Sequence, residues 1–185
     1  LFRCDFRTKS ELDAGQSAQG TAPAPASEQP APASEQPAAR CAALASTHPL
    51  APATATALTT QWVAADAAKG LPAYCQLKAT LTPVPGSTIG VVYRLPAHWN
   101  GKLLGLGGGG WAGNVTLRGA AAGLKAGYAT AQTDGGHPGT GPWDTSWTAR
   151  PQAVIDFSYR AVNRMTVAGK ALVLAYYGQP QKRAY

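Results

Sequence analysis

Gly107, Gly108, Gly109 and Gly110 follow the short apolar run Leu103-Leu104-Gly105-Leu106 and precede Trp111, and no other feature of the sequence constrains the fold as tightly. An apolar run of that length reads as a buried strand, and glycines directly behind it turn the strand into a loop whose N–H groups no Cβ covers. Residues 77–82 and 89–95 alternate apolar and polar side chains with period two, separated by a turn at Pro83, Pro85 and Gly86. Residues 128–134 read as a further strand, ending in the loop Gly135-Gly136-His137-Pro138-Gly139. Phe157, Ala161, Met165, Ala168, Leu172 and Ala175 step by three or four residues and predict one face of a long helix. Pro151 marks its start, Asp156 can pair with Arg160, and Gly178 and Pro180 mark its stop. Strands first, then strand and helix in alternation, predict an α/β fold with a mixed sheet.

Composition changes near residue 40. The heptapeptide Pro-Ala-Pro-Ala-Ser-Glu-Gln at residues 23–29 is repeated at residues 30–36. Such a tract buries too little apolar surface to offset chain entropy, so residues 1–39 are expected to be a disordered leader and linker, and residues 40–185 the globular part. The net charge of +7 comes from singly scattered basic residues, Lys182-Arg183 apart, which argues against the clustered stripe of a nucleic-acid binder. No run of about 18 apolar residues exists to span a membrane as a helix.

Cys41 and Cys75 flank the opening of the globular part, and their spacing is compatible with a disulfide or with two buried thiols; Cys4 is left over in the leader. No cysteine pair has zinc-site spacing, and three histidines, His48, His98 and His137, make a metal cluster improbable.

The glycine loop supports two chemistries. Gly105, Gly107 and Gly110 match the dinucleotide fingerprint, with Asp134, 24 residues beyond Gly110, placed to hold a ribose. Alternatively, Gly109 and Gly110 present N–H groups to the oxyanion of an acyl-transfer reaction, as the His-Gly-Gly-Gly loop of lipases does. The second reading is favoured, because two strands precede the loop and because Gly113, Gly119 and Gly123 make residues 111–126 a poor phosphate-capping helix. Asp134 is expected to fix its loop by accepting backbone N–H bonds, and His137 to act as a loop hydrogen-bonder rather than a base. Trp111, Trp143 and Trp147 suit either an aromatic pocket or the core. A secreted carbohydrate-binding module, stacking its tryptophans on sugar rings, is the non-enzymatic alternative. None of Ser46, Ser87, Ser146 and Ser158 sits in a Gly-x-Ser-x-Gly elbow.

Several separated blocks, in order, resemble the tannase and feruloyl esterase family. They are Tyr74-Cys75, Trp99-Asn100-Gly101-Lys102-Leu103-Leu104, the stretch from Gly107 to Gly113, that from Gly127 to His137, and the helix from Asp156 through Tyr176-Tyr177-Gly178. The resemblance implies the amino-terminal part of an α/β-hydrolase catalytic domain, a serine nucleophile, and a secreted or periplasmic enzyme acting on small aromatic esters such as feruloyl or galloyl esters. It implies a Cys41–Cys75 bridge. It places the Ser-Asp-His triad, and a lid domain that can bind calcium, beyond Tyr185, so that residues 1–185 would stop before the nucleophile and lack activity alone. Asn163 departs from the family, which often has a His there.

Overall fold

Alternating apolar and polar side chains can line one buried face of a strand, and here they build an antiparallel meander. It consists of β1 (Ala55–Val63), β2 (Tyr74–Leu81) and β3 (Ile89–Pro96). The computed structural model describes residues 35–51, 53–113, 115–139 and 141–185. Beyond the meander come β4 (Lys102–Leu106), β5 (Ala129–Thr133) and the short β6 (Arg183–Ala184), and the sheet runs β1-β2-β3-β5-β4-β6. β3 and β5 are antiparallel, whereas β5, β4 and β6 are parallel to one another. The expected mixed sheet is therefore present.

β1 has no counterpart among the strands expected from the sequence. It is an edge strand, largely half-buried or exposed, and its register against β2 shifts between Thr56 and Thr59, with Ala57 at φ 49°. Irregular pairing and one wet face remove the clean alternation that betrays an inner strand.

Helices cover both faces. α1 (Glu35–Ala43) and α4 (Ala161–Tyr177) lie on one, where Leu77, Leu81, Val91, Tyr93 and Leu103 meet Met165, Ala168 and Leu172. Gly169 lets α4 come close: a Cβ there would stand 2.9 Å from the Tyr93 ring, whose hydroxyl donates to the Met165 carbonyl at 2.8 Å. α2 (Leu117–Lys125) covers the other face, with Ala120 and Leu124 against Leu71 and Tyr74. Its glycines do not prevent it from forming. Thr116 caps it by accepting from Gly119 N–H at 3.2 Å, and a Cβ at Gly123 would meet Leu104 and Thr130, so close packing outweighs propensity.

The long helix is interrupted. α3 (Pro151–Ile155) passes into a π turn (Asp156–Arg160) before α4 begins, and Gly178, at φ 71°, ends it as expected. Ala161, Met165, Ala168 and Leu172 are buried as predicted, but Tyr176 takes the next inward step and Ala175 is exposed.

α1 begins at Glu35, inside the stretch that composition assigned to linker; the remainder of the leader, with Cys4, lies outside the described residues. Two ties hold α1 down. The Tyr176 hydroxyl donates to the Pro37 carbonyl at 3.1 Å, and Cys41 is bridged to Cys75 of β2, with Cα atoms 5.5 Å apart. Peptide mapping without reduction, on protein matured in an oxidising compartment, should recover Cys41 linked to Cys75. Replacing both by Ala should lower unfolding stability by roughly 4 kcal/mol, the loop-closure value for this separation; two free thiols, or an unchanged midpoint, would contradict the tie.

Candidate active site

Two loops leave the carboxyl ends of the neighbouring parallel strands β4 and β5 and are laced together. Trp111 N–H donates to the Pro142 carbonyl and Gly113 N–H to the Gly139 carbonyl, both at 2.9 Å. The approach is possible only without side chains, because a Cβ at Gly113 would run into the carbonyls of Asp134 and His137. Gly110 is held at φ +58°, where a Cβ would also lie 2.7 Å from the Pro142 carbonyl oxygen, while a Cβ at Gly107 or Gly109 would point into open space. Residues 107–110 are exposed, and among the described residues the amides of Gly109 and Gly110 donate to no acceptor. The loop thus offers uncommitted N–H groups at the carboxyl end of β4.

Asp134 secures the second loop. One carboxylate oxygen accepts from Gly90 N–H at 2.9 Å and from Gly136 N–H at 2.8 Å, as the sequence led one to expect. Burial raises its pKa, the two amides pull it back, and nearby Asp156 raises it further. This engagement removes the dinucleotide reading. Asp134 has its carboxylate bound to the loop rather than offered to a ribose, and α2 starts at Leu117 rather than directly behind Gly110, leaving no helix terminus under the fingerprint. Helices pack on both faces of the sheet, so a carbohydrate-binding module here would not be a β-sandwich.

His137 departs from expectation. It is 1% exposed, and neither ring nitrogen has a hydrogen-bond partner among the described residues. It serves as a flat plate, stacked on Trp147 at 4.2 Å and 4° and flanked by Phe157, which also meets Trp111. Burial lowers its pKa, Arg150 lowers it further, and Asp144 opposes both. The tryptophans divide: Trp147 is core at 6% exposure, Trp111 is half open at 43%, and Trp143 stands free at 84%.

A cleft of about 260 Å³ opens beside these loops, lined by His137, Gly139, Asp144, Trp147 and Arg150. A roomier groove of about 600 Å³ lies by Arg40, Trp62 and His98, and none of its lining residues belongs to the glycine loop. Among the described residues no group of three or more His, Cys, Asp or Glu could hold a metal ion.

Residues 75–185 match the model of the tannase and feruloyl esterase family. The chain belongs to that family. An uncharacterized esterase of Xanthomonas campestris pv. campestris is 40% identical over 108 residues, 57% of this chain and 19% of that protein. A probable feruloyl esterase B-2 of Aspergillus flavus is 35% identical over 91 residues, 49% of this chain and 17% of that protein. The chain thus spans less than a fifth of either relative. The crystal structure of feruloyl esterase B from Aspergillus oryzae superposes with a TM-score of 0.64 at 26% identity, over 80% of this chain and 31% of that one. The tannase-family chain is accordingly part of an α/β-hydrolase fold. Beyond Gly109 and Gly110, its structure adds buried Ser87 to the Asp156–Arg160 pair that the spacing predicted, a partner the sequence did not expose because Ser87 and Asp156 lie 69 positions apart.

A lowered imidazole pKa has a definite consequence for stability. The contribution of neutral His137 is complete above about pH 6.5, its ordinary pKa, and is lost as pH falls through the lowered value. Urea unfolding midpoints should therefore fall as the pH is taken below about 6.5. His137→Phe should flatten that fall; an unchanged slope would assign it to other groups.

Proposed function

We propose that this chain carries the oxyanion loop of a carboxylic ester hydrolase that cleaves small esters of aromatic acids by a serine nucleophile. The observation that carries the reading is the pair of open amides at Gly109 and Gly110, on a loop that leaves the carboxyl end of β4. The neighbouring strand supports it. Tyr185 donates its N–H to the Leu103 carbonyl at 3.0 Å and accepts from Gly105 N–H at 2.7 Å, so the β6 backbone runs level with β4 just short of the glycines. A nucleophile a few residues further along that line, in a Gly-Cys-Ser-x-Gly-Gly elbow, faces the loop. Of the described serines past residue 40, Ser46, Ser87 and Ser158 donate their hydroxyls to Ala43, Asp156 and Val154, and Ser146 lies exposed in a 3-10 turn, its backbone N–H donating to Asp144.

In the proposed step the serine oxygen attacks the ester carbonyl and its proton passes to the base. The carbonyl oxygen gains the negative charge and accepts hydrogen bonds from the loop amides. Collapse expels the alcohol, and water then releases the acid by the same path. The names of the family relatives favour aromatic acids, and Trp143 and Trp111 supply open aromatic surface beside the loop. The Cys41–Cys75 bridge favours a secreted or periplasmic site of action.

The test uses the full-length enzyme on methyl ferulate, methyl gallate and an aliphatic ester of similar size. Aromatic esters should turn over faster. Gly109→Ala, whose methyl meets open space in the fold, should lower kcat by about 10² with the circular dichroism spectrum unchanged. Gly110→Ala should lose activity together with loop order, because its φ is unfavourable for alanine and a Cβ there would lie 2.7 Å from the Pro142 carbonyl oxygen. Unchanged kcat in Gly109→Ala would remove the loop from catalysis, and no hydrolysis of any ester by the wild type would remove the reading.

A further inference from the structure

One buried group is used by nothing described above. Asp156 is 0% exposed and sits at the first position of the π turn. Its carboxylate accepts from the Ser87 hydroxyl at 2.7 Å and from Arg160 Nη1 at 2.9 Å, and the same Arg160 nitrogen also donates to Gln152 at 2.9 Å. Ser87, 2% exposed, belongs to the turn between β2 and β3. A carboxylate taken wholly out of water is costly even when paired, and an apolar side chain at such a position would often be at least as stable. The π turn adds a second departure from what local stability favours. One inserted residue rotates everything that follows by about 100°, and such turns concentrate at functional sites.

The other neighbour of Asp156 points to the reason. Gly136, at φ +87°, lies so close that a Cβ there would fall 2.5 Å from the Asp156 Cβ and 3.1 Å from one of its carboxylate oxygens, and a Cβ at Gly135 would fall 3.0 Å from the Phe157 ring. Asp134 grips Gly136 by its N–H, so this glycine is packed between the Asp134 carboxylate and the Asp156 side chain. The same loop then delivers His137 into its aromatic slot and the Gly139 and Pro142 carbonyls to Gly113 and Trp111. We propose that Asp156 is a positioning residue for the glycine loop: the π turn carries it into the core, Ser87 and Arg160 fix its carboxylate, and it seats the Gly135-Gly136-His137 backbone to which the glycine loop is laced. An ordinary ion pair between Asp156 and Arg160, one helical turn apart, would need neither the buried Ser87 partner nor the contact with Gly136.

This inference rests on the esterase reading for its kinetic arm only. In the full-length enzyme, Asp156→Ala should lower kcat at least about tenfold with KM little changed, since a misplaced donor pair acts on the transition state. Hydrogen exchange at residues 109–113 and 135–139 should accelerate about tenfold, with β2, β3 and β5 still protected. Asp156→Asn, which keeps an acceptor for Ser87 and the side-chain volume, should recover most of both. If Asp156→Ala does not fold, Ser87→Ala should shift the same two loops in the same direction by a smaller factor. Exchange that is unchanged in both loops, or accelerated uniformly through the sheet, would overturn the proposal. Failure of the wild type to cleave esters would instead strike the esterase reading and leave the exchange result to decide this one.

Discussion

The parallel pairing of β4 with β5, from Leu103 opposite Ala129 to Leu106 opposite Gln132, governs the rest of the molecule. Parallel neighbours cannot be joined by a hairpin, so the chain must cross the sheet, and α2 is that crossover. The pairing also brings the loops after both strands out at the same end. Two loops that share an exit can be laced at Gly113 and Trp111, and only then do the amides of Gly109 and Gly110 face one defined space. Ligand sites in open α/β sheets form at this end of the strands for the same reason.

Polar groups inside the fold are held in different ways. Asp134 is satisfied by backbone amides, Asp156 by a hydroxyl and a guanidinium, and Arg94 on the α2 side of the sheet by the side chains of Gln76 and Gln132. His137 has no such partner and is held by stacking, which suits a neutral ring whose pKa burial has lowered. The loops around the glycines thus owe their order to a few buried groups rather than to regular secondary structure.

Features that depend on neighbours in sequence were legible before any coordinates. The alternation of residues 77–82 and 89–95, the glycines behind Leu106, the Pro151 start and Gly178 stop of the long helix, and the capping role of Asp134 all follow from spacing and from what each residue type permits. Blocks of such features in a fixed order also sufficed to mark the family. The edge strand β1 and the helical start at Glu35 were not legible, because the former is irregular and half wet and the latter is stabilised by Tyr176 and Cys75, both far along the chain.

The choice between the two uses of the glycine loop belonged to tertiary structure. A fingerprint of glycines and a distant aspartate has the same spacing whether the carboxylate binds a ribose or a turn, and only the positions of Gly90 and Gly136 around Asp134 separate them. His137 was expected to hydrogen-bond within its loop, and only the tertiary structure set its ring on the face of Trp147 with neither nitrogen paired among the described residues. The Asp156–Arg160 pair was expected from its spacing, but the π turn and the Ser87 partner that set Asp156 in the core were not. Sequence determined which segments become strand, loop and helix, because those choices are made by local sterics and periodicity. Which buried group each loop leans on was decided by contacts between residues tens of positions apart, and no local pattern encodes them.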